Sequence, residues 1–311
     1  MAAAAAALAL PGATPPPPVA RWRGVALGAP ATLELVGIGP ARAGRLIAAC
    51  LEELARLEAI FSLYDPESAL CRLNREGRLR HPPPELVEVL GLARRLAELS
   101  EGGFDVTLQP LWLAVARQAT PEERRAARRL VDWRRLEVGP EAVALGRPGM
   151  AVTLDGIAQG YLTDRIALLL RAGGAERVLV DLGELRALGP HPLGRPWRIG
   201  LAPGDAVLPL EEGAVASSAA LVDGRPRILD PRTGEPPAPA DRVVRVLAPE
   251  AVVADGLSTA LAVLGPAEAA GLLAAFPGAR ALSAAGGRAT RFDREQAKPG
   301  APSRPEGGGR P

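Results

Sequence analysis

Histidine is almost missing from this sequence. The two present, His81 and His191, each stand beside a proline, so a His-rich metal site has no material and a Ser-His-Asp triad would rest on one of these two. No GxSxG elbow accompanies them, which weakens the classical hydrolase readings further. Cys50 and Cys71 are the whole cysteine content; they have neither metal-ligand spacing nor a disulfide framework and read as small buried hydrophobes. Aromatic residues make up 3% of the chain and lysine is rare beside arginine. No basic stripe interleaved with aromatics emerges, and 37 basic against 35 acidic residues leave a formal charge of +2, so a nucleic-acid surface has little support. Past the N-terminus, no run approaches the ~20 apolar residues of a membrane helix.

What is present describes a globular chain. Its 311 residues are 48% hydrophobic and 23% charged, enough for one large domain or two ordinary ones with ample core. The opening "MAAAAAALALPGATPPPP" has the apolar length and the small residues of a signal peptide but no positively charged start. Residues 1–20 therefore read as an Ala/Pro-rich leader or a remnant signal peptide. At the other end, residues 294–311 are rich in Pro and Gly without apolar periodicity, the composition of a disordered tail. A single domain is expected over residues 21–293.

Within it, "RWRGVALGAPATLELVG" reads as one or two strands. "ARAGRLIAACLEELARLEAIFS" is the clearest amphipathic helix, apolar at Leu46, Ile47, Cys50, Leu51, Leu54, Leu57 and Ile60. A polar loop, "LYDPESALCRLN", follows it. "PPELVEVLGLARRLAELSEG" is a second helix, begun by prolines and ended at Gly102 and Gly103. Two short helices, a strand over "AVALGRPGMAVTLD", a helix over "GIAQGYLTDRIALLLRAGG" and the buried strand "RVLVDLG" come next. Short strands then run to about residue 249, followed by two helices and a final strand near "ARALSA". Strands and helices mix without strict βαβ alternation, so the fold class is α+β, with mixed sheet regions packed by helices.

Four segments carry polar groups in unusual settings. In "VVADGLSTALAV", Asp255 and Thr259 lie four residues apart in an apolar stretch. On a helix they share a face. The commoner reading makes Asp255 an N-cap and lets Thr259 bond back to a carbonyl; the alternative is a pair of oxygens holding a hard cation. "TLDGIAQGY" passes from strand to helix through Gly156 and Gly160, which suits either close packing or the approach of a phosphate or cation to free backbone groups. "EGGFDVTLQPLW" brings Phe104 and Asp105 after a glycine bend; they read equally as a helix cap with a core Phe or as an aromatic face and carboxylate for a purine or ribose. "RILDPRTGEP" is punctuated as a tight turn.

In order along the chain, these segments resemble the ApbE family of FAD:protein FMN transferases, the flavinyltransferases. "FSLYDPESALCRLN" resembles FSTYDPDSELSRLN, "GGFDVTLQPLW" resembles GAFDITVGPL, and "TLDGIAQGYLTDRIALLL" resembles DLGGIAKGYAVDRVAELL. "ILDPRTGEP" resembles the end of HIIDPRTGRP, and "ADGLSTALAVLGP" resembles ADALATALFVLGP. The likeness runs from about Trp22 to Ala285. It implies magnesium-dependent transfer of FMN from FAD to a Thr or Ser hydroxyl of a target protein, with release of AMP. By the same resemblance Gly156, Asp255 and Thr259 are the magnesium ligands, Gly156 through its carbonyl. Tyr64, Gly103, Phe104, Asp105, Thr153 and Gln159 fall on the family's FAD contacts. The acceptor implied is part of a membrane electron-transfer complex outside the cytoplasm, and the location periplasmic or exported.

Three departures stand out. Thr153 replaces an Asp, Gln159 replaces a frequent Lys or Glu, and Arg227 replaces the His of the HIIDPRTG motif. Without that His, Asp230 becomes the candidate base. Arg227 reads either as a surface turn residue or as a holder of phosphate oxygens. Two other outcomes share the same site: an FAD-binding protein without transfer, and an FAD pyrophosphatase yielding FMN and AMP.

Overall fold

A computed structural model describes residues 17–200, 207–222, 224–285 and 288–292. Strand β1 (Val19–Ala26) turns into β2 (Ala29–Val36) through Leu27 and Gly28, both at positive φ (45° and 79°). That is the primed-turn geometry whose twist suits a two-residue hairpin. Val19 and Ala20, at the end of the stretch 1–20 expected as a leader, belong to β1. Residues 1–16 and the tail expected over 294–311 lie outside the described residues.

Helix α1 (Pro40–Phe61) buries Cys50, Leu54, Leu57 and Ile60, as its periodicity predicts, while Leu51 remains at the surface. The loop expected next is half helix. Ser68 accepts a hydrogen bond from the Cys71 N–H (3.0 Å) and starts α2 (Ala69–Glu76), which Gly77 ends at φ 71°. Next come β3 (Arg78–Arg80) and α3 (Pro84–Leu99). The second helix does stop at the predicted glycines: Gly102, at φ 82°, donates back to the Ala97 carbonyl (2.8 Å). Two short helices follow, α4 (Gln109–Ala116) and α5 (Pro121–Arg128), the latter opened by a Thr120/Glu123 capping box.

A small sheet pairs β3 with β5 (Ala142–Leu145), and β5 in turn with β4 (Leu136–Val138). The strand expected over residues 142–155 thus ends at Leu145. Its remainder is held individually: the Asn74 amide bonds both backbone groups of Val152 (2.6 and 2.8 Å), and the Thr153 N–H donates to the Val106 carbonyl (2.9 Å). Those bonds lead the chain into α6 (Ala158–Ala172).

Beyond α6 run β6 (Val178–Asp181), β7 (Leu185–Leu188), the β8 (Trp197–Gly200) and β9 (Val207–Leu210) hairpin, and β10 (Gly213–Ala219). The turn-rich segment holds β11 (Leu221–Val222) and β12 (Arg225–Pro226), and β13 (Val243–Ala248) leads into α7 (Ala251–Val263). Helix α8 (Pro266–Ala274) and strands β14 (Arg280–Ala285) and β15 (Arg288–Phe292) complete the described chain. One eight-stranded sheet runs β1-β2-β6-β7-β10-β13-β14-β15, and each of its pairings is antiparallel. The α+β expectation holds.

Alternation along β10 shows how the sheet separates two cores. Ala214 and Ala216 face the main core under α6 and α7, whereas Val215 joins Val36, Ala187, Trp197, Ile199 and Leu210 on the other side. Among the described residues, no helix is long and apolar enough to cross a membrane.

Candidate active site

Helices α6 and α7 touch at Gly160. A Cβ there would fall 2.4 Å from the Ala251 carbonyl oxygen and 2.7 Å from the Asp255 Cβ, so only glycine permits this approach. The contact lets the Gly160 N–H donate to Asp255 Oδ2 (2.9 Å). Asp255 is not the cap of α7 but lies inside it, 3% exposed. The capping is done from the neighbouring helix, where the Asp164 carboxylate accepts from the Ala251 and Val252 N–H groups (2.8 and 2.9 Å).

Burial pushes the Asp255 carboxyl up to about 7, against the pull of the Gly160 N–H, and the charges of Asp155 and Asp164 push the same way. Asp255 forms no ion pair with any described residue. One turn on, Thr259 Oγ1 lies 3.3 Å from Ser218 Oγ, which is itself 2.7 Å from Ser258 Oγ. Thr259 shows no bond back to a helix carbonyl; Ser258 makes that bond, to Asp255 O (3.0 Å). Gly156 faces Thr259 so closely that a Cβ would lie 2.9 Å from Cγ2 and 3.0 Å from Oγ1.

The three expected metal ligands thus converge. Asp255, Thr259 and Gly156 line one cavity of about 960 Å³, at the upper end of small-molecule sites. Among the described residues no three His, Cys, Asp or Glu side chains group as a metal site. A cation here would therefore draw on one carboxylate, a hydroxyl and a carbonyl. Such an all-oxygen set fits magnesium, which usually keeps several waters and few protein ligands. A buried carboxylate without a cationic partner fits it as well.

The expected flavin contacts surround the same cavity. Tyr64 stands at the mouth, 90% exposed. Gly103 has Leu264 Cδ2 where a Cβ would sit, 2.5 Å away, so it too serves close approach. Phe104 is a core residue as well as a wall residue. The Asp105 carboxylate is largely committed: Oδ1 accepts from the Thr107 N–H (2.8 Å) and hydroxyl (2.7 Å), and Oδ2 from the Trp133 N–H (3.1 Å). Burial nevertheless leaves it above the usual carboxylate range. Thr153 Oγ1 accepts from the Asp155 N–H (3.2 Å), bending the chain toward Gly156. Gln159 packs on Gly183, whose φ of 100° and whose nearness to the Gln159 amide (2.9 Å from a Cβ) both demand glycine.

Asp230 does not belong to this set. Arg232 wraps it, its Nε and Nη2 each 3.0 Å from a carboxylate oxygen while its N–H donates to Oδ1 (2.9 Å). The neighbours Leu229 and Pro231 line the cavity, but Asp230 does not. Its carboxylate is engaged by Arg232 within the turn.

Among the acids to which the motifs gave no role, Glu184 and Asp155 line the cavity near the glycine turns. Glu184, 7% exposed, is pushed well above the usual range by burial and by the Asp255 charge, while the Ser217 N–H pulls it down. Asp155 is reached by solvent through the cavity but surrounded by protein elsewhere. Burial raises its carboxyl, against the Thr153 hydroxyl and the Arg227 charge. Their signal was present as acids beside the glycine turns of "TLDG" and "DLGE", where a fold alone could show which way they face.

The ApbE family model matches residues 27–283. This chain belongs to the ApbE family. An FAD:protein FMN transferase of Haemophilus influenzae is 32% identical over 248 residues, 68% of this chain and 70% of the relative. One from Treponema pallidum is 30% identical over 298 residues, 81% of each. The crystal structure of the Pseudomonas stutzeri flavinyl transferase ApbE, apo form, superposes with a TM-score of 0.78 at 28% identity. It covers 89% of this ApbE-family chain and 96% of the neighbour.

Proposed function

We propose that this ApbE-family protein is an FAD:protein FMN transferase that moves FMN from FAD to a Thr or Ser hydroxyl of an acceptor protein, with magnesium, and releases AMP. The observation that carries the reading is the convergence of Asp255, Thr259 and Gly156 in one cavity with Tyr64, Asp105, Thr153 and Gln159. By the family's pattern, the acceptor belongs to a membrane electron-transfer complex and the enzyme acts in the periplasm or after export.

The cavity walls fix FAD while its mouth admits the acceptor. Tyr64, exposed at that mouth, offers a ring face to the flavin or adenine. Gly103 and Gly156 bring backbone close to the ligand, and the Thr153 and Gln159 side chains contribute neutral hydrogen-bonding groups. Asp255, Thr259 and the Gly156 carbonyl would hold magnesium, which neutralises charge on a diphosphate when bound. The acceptor oxygen bonds to the FMN phosphorus, the bridging P–O bond breaks, and AMP leaves as the hydroxyl proton is released. Little covalent chemistry falls to the protein, so positioning by these residues carries the rate.

Purified protein, FAD, magnesium and a candidate acceptor bearing a Ser/Thr flavinylation-type segment give the test, read as AMP and as flavin fluorescence on the denatured acceptor. Covalent flavin that disappears with EDTA supports the transferase. AMP and free FMN without labelling indicate a pyrophosphatase; tight FAD uptake without AMP, across several acceptors, leaves a flavin-binding protein.

A further inference from the structure

The cavity presents six carboxylates, from Glu58, Asp65, Asp105, Asp155, Glu184 and Asp255, and among the described residues a single basic side chain, Arg227. A diphosphate entering such a surface meets repulsion from those of these acids that are ionised unless cations offset it. Where the family motif has a frequent Lys or Glu this chain has the neutral Gln159, and where the motif has His it has Arg227, the positive charge of the cavity lining.

The backbone there is anchored. The Arg227 N–H donates to the Ala220 carbonyl (2.9 Å), and the next residues, Ile228 and Leu229, continue the cavity wall. The side chain is the opposite: exposed, lining the cavity, and without a hydrogen bond or ion pair to any described residue. Asp155 and Gly156 line the same cavity as Arg227. An anchored backbone with an uncommitted guanidinium over an acidic cavity is poised for an anionic ligand, and guanidinium groups take phosphate oxygens in pairs.

We infer, resting on the transferase reading above, that Arg227 is a substrate-binding residue that grips the FAD diphosphate and gives this protein metal-independent affinity for FAD. The histidine of the family motif is thus exchanged here for a phosphate-binding cation, and arginine, which does not lose its proton in proteins, serves as no base.

Binding rather than turnover tests this. FAD and riboflavin, which shares the flavin ring but lacks phosphate, are titrated by fluorescence into wild-type protein, Arg227→Gln and Arg227→Lys, in EDTA and then in magnesium. The expected result is a loss of about tenfold in FAD affinity for Arg227→Gln in EDTA, the size of one charge-assisted bond. Riboflavin affinity should not change, the salt dependence of FAD binding should flatten, and Arg227→Lys should recover part of the loss. Unchanged FAD affinity in Arg227→Gln, or an equal loss for riboflavin, overturns the inference and leaves the transferase reading standing. Wild-type protein that takes up neither flavin in either buffer overturns both.

Discussion

Two buried carboxylates on facing helices have opposite surroundings. Asp164 on α6 is 6% exposed and Asp255 on α7 is 3% exposed. Asp164 accepts from two N–H groups at the start of α7 and is ion-paired with Arg186, itself 8% exposed. Asp255 accepts from one N–H and faces open cavity. Burial is the largest influence on both, and it raises both carboxyls. The cation beside Asp164 opposes that rise; Asp255 has no such cation. The buried charge at Asp164 thus has its partners built in, whereas the one at Asp255 leaves room for the cation proposed above.

Asp255→Asn should have the larger effect of the two and leave the fold unharmed. The amide keeps the volume but cannot supply an anionic ligand, so FMN transfer is expected to fall by roughly 10²–10³ or more, the cost of losing one electrostatic group aimed at developing charge. Unfolding in EDTA should show stability equal to or above wild type, because an uncompensated buried charge has gone. Normal transfer by this variant, or a clear loss of stability in EDTA, would remove the distinction between the two acids.

Asp164→Ala inverts that pattern. It strands Arg186 and bares the first N–H groups of α7, so a loss of about 3–5 kcal/mol in urea unfolding is expected, as for other broken buried pairs. Transfer per folded molecule should survive far better than in Asp255→Asn. A loss under about 1 kcal/mol would show that Asp164 is also dispensable to structure.

How far the sequence displays this arrangement depends on chain separation. Helix α1 is legible because its apolar residues repeat over 22 positions. Helix α2 is not, because eight residues give too few turns for a period to register and only Ser68 marks its start. Asp255 and Thr259 are visible as a pair because i and i+4 share a face. The Gly160 N–H that fixes Asp255 is 95 residues away, and the α7 N–H groups that engage Asp164 are 87 and 88 away. No local pattern announces such partners. Asp230 was misjudged as uncommitted for a nearer reason: a carboxylate in a turn looks available until the arginine two residues on is seen folding back over it. The metal and flavin positions were expected only because five motifs kept a known order, and the fold brings those residues to one cavity. Glu184 and Asp155 fell outside the motif roles and needed the cavity to expose them.

The smallest expected effect concerns charges that are partnered but wet, and it sharpens the contrast by removing burial. Glu53 on α1 meets Arg56 (2.8 Å) and Arg165 of α6 (3.5 Å), and Arg56 reaches Glu85 of α3 (2.7 Å). The hydrogen bond from Arg56 is the leading cause that holds the Glu53 carboxyl below its ordinary value of 4.5; slight burial opposes it. A carboxyl lowered in the folded state binds its proton more readily when unfolded. Its stabilisation is therefore complete above 4.5 and fades as pH falls through the lower, folded value. Arg56 is nearly half exposed, its side chain at 46%, so solvent and salt limit the contribution to under about 1 kcal/mol. Glu53→Gln should lower the melting temperature slightly at pH 7, less so in high salt, and converge on wild type as pH falls below the folded value of Glu53. A gap that persists at the acid end would mean that Glu53 acts by packing its stem and not by its charge. Three helices would then be tied by shape, where the Asp164 carboxylate ties α6 to β7 by an ion pair and to α7 by hydrogen bonds.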